Sequence, residues 1–361
     1  MKVLHLSSEK TWRGGEQQMA YLIAESIKHN IEPLVACRKG SAFSIYCKQQ
    51  NIKHYDLGFR NEIDVFTALK LLFICKKEHI GILHAHSSHS QAMAVLSAFF
   101  GNKTPIVLSR KVDFAIKNNV LSKWKFNHKS IKRIICVSNA IKEILLPDLK
   151  RTNHLSVIHD GIDLKRFPYK KGQHILRKEY SIDNNKQIIA NISAIAPHKD
   201  YFTFVDTAEI ALSINPNLHF FIIGDGPLRN EIEAYVSNKN LADSITLTGF
   251  RNDIPQLFPD IDVFLMTSKT EGLGSTLLDA ACNFIPIVST AAGGIPEFII
   301  HQETGLLTAV GDSKALAQGI IHVLQDDALQ KKLTNEAYLK LLEGFTKEKM
   351  ALKTIEIYGK L

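Results

Sequence analysis

The sequence predicts an α/β protein made of two doubly wound halves, and three observations carry that expectation. Short apolar runs alternate with stretches of helical periodicity along nearly the whole chain, and small glycine loops follow several of the runs. The length of 361 residues is also more than one core usually holds. Such alternation means parallel strands joined by crossover helices; both faces of the sheet are then covered, so each strand reads as an unbroken apolar run.

The elements follow in order. KVLHL at 2–6 precedes MAYLIAESI, whose apolar residues recur at helical spacing. PLVAC precedes SIYCKQQ, and VFTALKLLFICKKE precedes GILHAH; PIVLS, RIICVS, AIKEILL and LSVIHDGI complete the first series. A second series starts near Gln187 with IIANISAI and a helix over 201–213. HFFIIGDG, a helix over 227–240 entered through Pro227, SITLTGF, DVFLMTS and IPIVST continue it. Residues 163–183 between the series are charged and hold no strand run, which places one domain at 1–165 and a second at 166–345. The closing FTKEKMALKTIEIYGKL again has helical apolar spacing. Ligands of open parallel sheets sit beyond the carboxyl ends of the strands, so the cleft between two such halves is the expected site.

Composition narrows the function classes. No run approaches the roughly 20 apolar residues that cross a bilayer, and MKVLHLSSEK is stopped by polar residues after Leu6, as a buried strand is and a signal peptide is not. The cytoplasm is the expected compartment. The cysteines at 37, 47, 75, 136 and 282 have no metal or redox spacing and read as core thiols. Residues 1–170 carry 27 Lys and Arg against 13 Asp and Glu, while the remainder carries 17 against 23. A basic first half suits phosphates or the inner face of an anionic membrane. Nucleic acid is disfavoured, because no base-reading helix, zinc finger or RNA-binding aromatic motif is present.

The most informative stretch is FLMTSKTEGLGSTLLDAACNFIPIVSTAAGGIPEF, which begins at Phe264. Gly272 and Gly274 put Glu271 in a turn and Asp279 inside the helix that follows. Two carboxylates thus stand near a helix start, where unpaired amides favour an anion and the acids suit sugar hydroxyls. Read alone, acids at a helix N-terminus are commonplace. A second small loop, Ala292 to Glu297, follows another apolar run and strengthens the case. The composite resembles the nucleotide-sugar motif of retaining glycosyltransferases of the GT-B fold, family 4 type: an acid, seven residues and a Glu, then a GG and PE segment. Asp279 stands here in place of the second Glu. The resemblance extends over nearly the whole chain. It implies two Rossmann-like domains, the first binding the acceptor and the second the nucleotide sugar, with a C-terminal helix at 346–361 packing back on the first.

Other residues gain their expected roles from position and from this resemblance. Gly14 and Gly15 follow the first strand and open a helix, where backbone can approach a phosphate or an acceptor, and they are taken as donor contacts; Gln17 occupies a place where the family usually has Glu. His84 and His86 alternate at strand period and so point the same way, with His89 close behind. Zinc is weighed and set aside for want of an acidic or cysteine partner. The family carries a His of this element near the donor sugar, and the match falls on His86. Arg110 and Lys111, just after PIVLS, suit an anionic acceptor, although solvated surface charge explains either one singly. The basic, aromatic segment 114–133 is suited to an interfacial surface, or equally to a helix with its aromatics turned in. Lys199 follows the first strand of the second half, where an ammonium meets a diphosphate. The Arg that the family has five positions earlier is Ala194 here. GDGP at 224–227 is explained by loop architecture. The resemblance lays the nucleotide base on the backbone of TGFRND, with Phe250 and Arg251 against it, and the leaving phosphates on the loop of Gly272, Leu273, Gly274 and Ser275.

The expected function is therefore retaining transfer of a sugar from a nucleotide sugar to an acceptor hydroxyl, in surface-polysaccharide or lipopolysaccharide assembly. His86, Lys199 and Glu271 are the catalytic candidates, with Glu271 orienting the sugar for front-face substitution and Asp279 holding the ribose. No cofactor and no metal are expected; DID at 260–262 reads as the polar entry to a strand. The expected partners are the donor, a lipid-linked or saccharide acceptor, and an anionic membrane surface. A nucleotide-sugar epimerase of the same architecture, or an inactive nucleotide-sugar-binding protein, is the alternative. A nicotinamide dehydrogenase is disfavoured by the lack of GxGxxG in the first loop.

Overall fold

In the computed structural model the chain forms two compact units, residues Met1–Gly161 with Lys347–Leu361, and residues Ile162–Thr346. The structure describes every residue except 62, 117 and 168–173, so part of the stretch expected to divide the chain, and Lys117 of the basic segment, lie outside the described residues.

The first unit runs β1 (Lys2–Ser7), α1 (Gly14–Lys28), β2 (Glu32–Arg38), α2 (Ala42–Gln49), β3 (His54–Leu57), α3 (Val65–Glu78), β4 (Ile82–Ala85) and α4 (Ser88–Phe99). It continues with β5 (Ile106–Arg110), α5 (Val120–Phe126), β6 (Ile131–Cys136), α6 (Asn139–Leu145) and β7 (Leu155–Val157). The strands form one sheet in the order β3-β2-β1-β4-β5-β6-β7, every pairing parallel. Helix starts follow local chemistry. The Ser41 side chain accepts the Ser44 amide at the head of α2, and Asp64 accepts the Thr67 amide at the head of α3.

The second unit runs α7 (Ile175–Glu179), β8 (Gln187–Ile192), α8 (Tyr201–Ile214), β9 (Leu218–Ile223), α9 (Arg229–Asn238), β10 (Ile245–Gly249), α10 (Ile254–Leu257) and β11 (Val263–Met266). Then come α11 (Ser275–Cys282), β12 (Ile287–Thr290), α12 (Ile295–Phe298), β13 (Leu306–Thr308), α13 (Ser313–Gln325) and α14 (Asp327–Gly344). Its six parallel strands are ordered β10-β9-β8-β11-β12-β13. Asp260 and Asp262 serve the strand entry: Asp260 accepts the Leu176 amide and Asp262 the Ile188 amide. The last helix, α15 (Lys347–Gly359), returns to the first unit, contacts α1, and adds Met350, Ala351, Ile357 and Tyr358 to a core with Leu22, Ile135 and Ile158.

Several elements are absent from the sequence-based expectation, the long helices α13 and α14 among them, and for three others the reason is physical. β3 and β13 are short edge strands with one buried residue apiece, so neither makes an apolar run. α4 is buried almost all round, from Ser90 to Val95, which erases the polar stripe that marks a helical period. No helix among the described residues is long and apolar enough to cross a membrane.

In both sheets the strand order reverses at one pair, β1/β4 in the first unit and β8/β11 in the second. Connections leave that pair in opposite directions, which opens a crevice beyond the strand ends where open α/β sheets take their ligands.

Candidate active site

The switch point of the second unit gathers the residues around Glu271. The loop after β8 ends in a tight 3-10 turn, Pro197–Lys199, and the loop after β11 lies beside it. The two are sewn together: Thr267 Oγ1 donates to the carbonyls of Lys199 and Asp200, and the Lys269 amide donates to the His198 carbonyl at 2.8 Å. Thr290 Oγ1, at the end of β12, donates to the Ser268 carbonyl. Within this frame Lys199 Nζ donates to Glu271 Oε1 at 2.5 Å, and Ser268 Oγ donates to the same oxygen at 2.7 Å. Glu271 is buried, while Lys199 stays partly open. One carboxylate thus sets the position of an ammonium at a sheet's carboxyl edge, where an anion can replace or share the pairing.

The glycines here have steric reasons. Gly293 has φ +52°, and a Cβ on it would lie 2.1 Å from the Glu271 carbonyl oxygen; the Gly294 amide donates to that same oxygen. The GG segment is therefore the seat on which the Glu271 turn rests. Gly274 has φ +78° and opens α11 with no side-chain cap. Leu273 is buried, and Gly272 and Ser275 are partly exposed. Asp279, one turn into α11, is partly buried; burial pushes its carboxyl up to about 7, opposed only by Arg166. Gly224 and Gly226 of GDGP pack on the backbone of Ser193 and Ile195, at distances that no Cβ tolerates, which agrees with a purely architectural role.

The two residues expected at the base differ in how far they are committed elsewhere. Arg251 is held by Asp253 through two hydrogen bonds and by Glu179 at 2.6 Å, so its guanidinium is committed to acids. Phe250 beside it is 70% exposed and offers the free flat face. Ala194, where a cation was missing from the pattern, is exposed at the end of β8.

The switch point of the first unit holds three histidines. His5 on β1 pairs in register with His84 on β4, and His86 follows β4. His5 Nδ1 and His86 Nε2 are 3.0 Å apart, and the His84 and His86 rings lie tilted at 35° with centroids 4.0 Å apart. His84 is spent on the interior, its Nδ1 bonding Tyr358 Oη at 2.5 Å and its Nε2 bonding Ser109 Oγ at 2.8 Å. His86 is the partly exposed member. Burial lowers the pKa of all three, His5 to about 3, so each ring is neutral at neutral pH. One ring nitrogen from each lies within 4.8 Å of the others, a grouping that a metal ion could share. In the structure His5 Nδ1 and His86 Nε2 face each other and both His84 nitrogens are bonded to Tyr358 and Ser109, while His5 Nε2 has no partner among the described residues.

Around them, Gly14 and Gly15 open α1, and a Cβ on Gly15 would meet nothing within 4 Å. No packing demands glycine there. Gln17 accepts from Trp12 Nε1, whereas the neighbouring Glu16 is buried, accepts from Ser7 Oγ at 3.0 Å, and has its pKa raised by burial. Lys111 ion-pairs with Asp160, and both line a 20 Å³ cavity with Gln18, His84, His86 and Ser109. Arg110 departs from the expectation of an acceptor contact. It is buried, donates to the Phe114 carbonyl, and lies over the Phe114 and Phe126 rings at 4.9 and 5.5 Å, so it braces this segment from within.

Comparison with known proteins identifies the architecture. A family model described as Glycosyltransferase Family 4 matches residues 12–166, and one described as Glycosyl transferases group 1 matches residues 172–340. The chain belongs to glycosyltransferase family 4. It is 26% identical over 325 residues to N-acetyl-alpha-D-glucosaminyl L-malate synthase of Bacillus anthracis, covering 87% of this chain and 84% of that one. It is 27% identical over 308 residues, 82% and 79% of the two chains, to the Escherichia coli UDP-Gal:alpha-D-GlcNAc-diphosphoundecaprenol alpha-1,3-galactosyltransferase. Among solved structures, HepE of Anabaena, in complex with UDP and glucose, superposes with a TM-score of 0.88 at 20% identity over the full length of both chains. The fold is GT-B, and this family 4 glycosyltransferase is a retaining enzyme. The matches favour transfer over the epimerase and binding-only alternatives. His5, Glu16, Ser109 and Tyr358 are site neighbours that sequence reasoning missed. His5 became visible only when the strand order put β1 beside β4, and Tyr358 only when α15 returned to α1.

Proposed function

We propose that this glycosyltransferase moves a sugar, with retention, from a nucleoside-diphosphate sugar held on the second unit to a hydroxyl of a lipid-linked or saccharide acceptor recognised on the first, in surface-polysaccharide or lipopolysaccharide assembly. The observation that carries it is the Lys199–Glu271 pair at the β8/β11 switch point. Lys199 and the amides at the uncapped start of α11 meet the charge of the departing diphosphate, a stabilisation strongest in a site where water is scarce. Glu271 and His86 orient the sugar for front-face substitution. Asp279 receives ribose hydroxyls, the flat face of Phe250 covers the base, and the backbone at Gly14 and Gly15 admits the donor. Lys199 and the helix amides meet the leaving group's charge, so no step calls on a metal.

The acceptor class is supported by two features. The E. coli relative acts, by its name, on a diphosphoundecaprenol-linked sugar, and a Campylobacter jejuni relative, 24% identical over 302 residues, likewise carries diphospho-undecaprenol in its name. The first 170 residues are strongly basic, as peripheral contact with an anionic membrane requires. Screening UDP, GDP and ADP sugars by thermal shift, then assaying transfer of the best donor to undecaprenyl-diphosphate sugars, tests the reading. The expected result is a melting-temperature rise with one nucleotide class and product that keeps the donor's anomeric configuration. Inverted product, or no transfer to either a lipid-linked or a saccharide acceptor, contradicts it.

A further inference from the structure

The transfer chemistry leaves one surface of the first unit unexplained. α3 turns Thr67, Ala68, Leu71, Ile74, Cys75 and Glu78 inward. Positions 66, 69, 70, 73, 76 and 77 share the opposite face by helical spacing. The solvent side of such a helix is ordinarily polar. Here Phe66 is 76% exposed, Phe73 64% and Leu69 43%, with Ile63 at 66% just before the helix. Among the described residues of that face the charges are Lys70, Lys76 and Lys77, all exposed. The helix's one carboxylate, Glu78, is turned in and takes hydrogen bonds from Lys53 and Tyr55. Phe99, 68% exposed, and Lys103 extend the same chemistry from the end of α4, which is tied to α3 by Asn102 Nδ2 donating to Cys75 Sγ.

The mixture selects among occupants. A symmetric contact with a second copy would set lysine against lysine, since a twofold interface joins a patch to itself. An acidic protein groove would answer the lysines and leave two phenylalanine rings to be matched. A bilayer interface answers both: aromatic and leucine side chains enter the headgroup–acyl boundary, and lysine stems lie along the apolar surface with their ammonium groups on lipid phosphates. We propose that the exposed face of α3 is a membrane-docking surface that seats the first unit on an anionic bilayer through Phe66, Leu69, Phe73, Lys70, Lys76 and Lys77. This rests on the peripheral membrane contact proposed above and gives that contact a place.

The test is co-sedimentation of the full chain with vesicles of phosphatidylglycerol and phosphatidylcholine, against vesicles of phosphatidylcholine alone. The variants are Phe66→Ser with Phe73→Ser, and Lys70→Gln with Lys76→Gln and Lys77→Gln. A charge-matched control carries Lys10→Gln, Lys39→Gln and Lys48→Gln. Melting temperature and donor-induced thermal shift confirm that each variant is folded and its site intact. The expected result is salt-sensitive binding to the anionic vesicles, reduced at least about tenfold by either α3 variant and little by the control. If the wild type binds and the α3 variants bind equally well, this surface is the wrong one while membrane contact stands. If the wild type binds neither vesicle, both fall. Self-association lost with the phenylalanines, without lipid binding, also overturns the proposal.

Discussion

His5 shows how much one unmatched atom decides. Its Nε2 is buried with no partner among the described residues, and a buried N–H costs more to leave unpaired than a lone pair does. The proton therefore belongs on Nδ1, which donates to His86 Nε2 at 3.0 Å, and the neutral His86 keeps its own proton on Nδ1. His86 then meets a ligand as a hydrogen-bond donor rather than as a base. Replacing His5 by Phe should release that tautomer, visible in the imidazole nitrogen shifts of His86, and lower turnover about tenfold, the worth of one good hydrogen bond. An unchanged tautomer would contradict the assignment. Asp279 makes a second prediction. Its carboxyl is raised from 3.8 to about 7, so the native state holds a proton that the unfolded chain gives up. Stability from this group is fully present below about pH 4, declines as pH rises to about 7, and is level beyond, a loss of roughly 2 kcal/mol after solvent screening. Donor affinity should run the other way, rising with pH through 7 as the carboxylate ionises to receive ribose hydroxyls. Asp279→Asn should flatten both profiles, in urea melts and in nucleotide titrations.

Two glycine loops separate architecture from ligand access at the level of the element. Gly293 combines φ +52° with a 2.1 Å approach to the Glu271 carbonyl, so Gly293→Ala should destabilise the protein by about 2–4 kcal/mol and displace the Glu271 turn. Gly15 has open space around its missing Cβ and sits in the first turn of a helix. Gly15→Ala should leave stability unchanged or raise it by up to about 1 kcal/mol, while weakening donor binding if backbone approaches the ligand there. Melting curves paired with nucleotide titrations read both. The same contrast explains what the sequence made legible. Buried parallel strands such as β8, β9 and β11 announce themselves as apolar runs, and Glu271 and Lys199 sit in loops directly after two of them. Edge strands β3 and β13, and the all-round buried α4, carry no such signal. Arg110 and Arg251 looked available because sequence shows a cation but not the carbonyl, rings or carboxylates that occupy it.

At the scale of the molecule, the strand-order reversal in each unit explains why residues far apart in sequence gather at β1/β4 and β8/β11. It also explains why His5 could not be read from the chain alone: its partner is 81 residues away. α15 belongs to the first unit although it closes the chain, and Tyr358 reaches His84 from it. Ending the chain at Thr346 would strip Met350, Ala351, Ile357 and Tyr358 from that core. We expect the truncated protein to lose the first unit's cooperative melting transition and His84's buried partner, followed by calorimetry; a transition at the original temperature would show that α15 is dispensable.

The central claim is that Lys199 and Glu271 act together on the donor, and turnover of Lys199→Met, Glu271→Gln and the double variant tests it most directly. Nucleoside diphosphate released during transfer from the best donor in the panel should fall about 100-fold in each single variant. The double variant should fall by much less than the product of the two losses, because the partners share one hydrogen bond. Folded single variants that turn over at the wild-type rate would contradict the account.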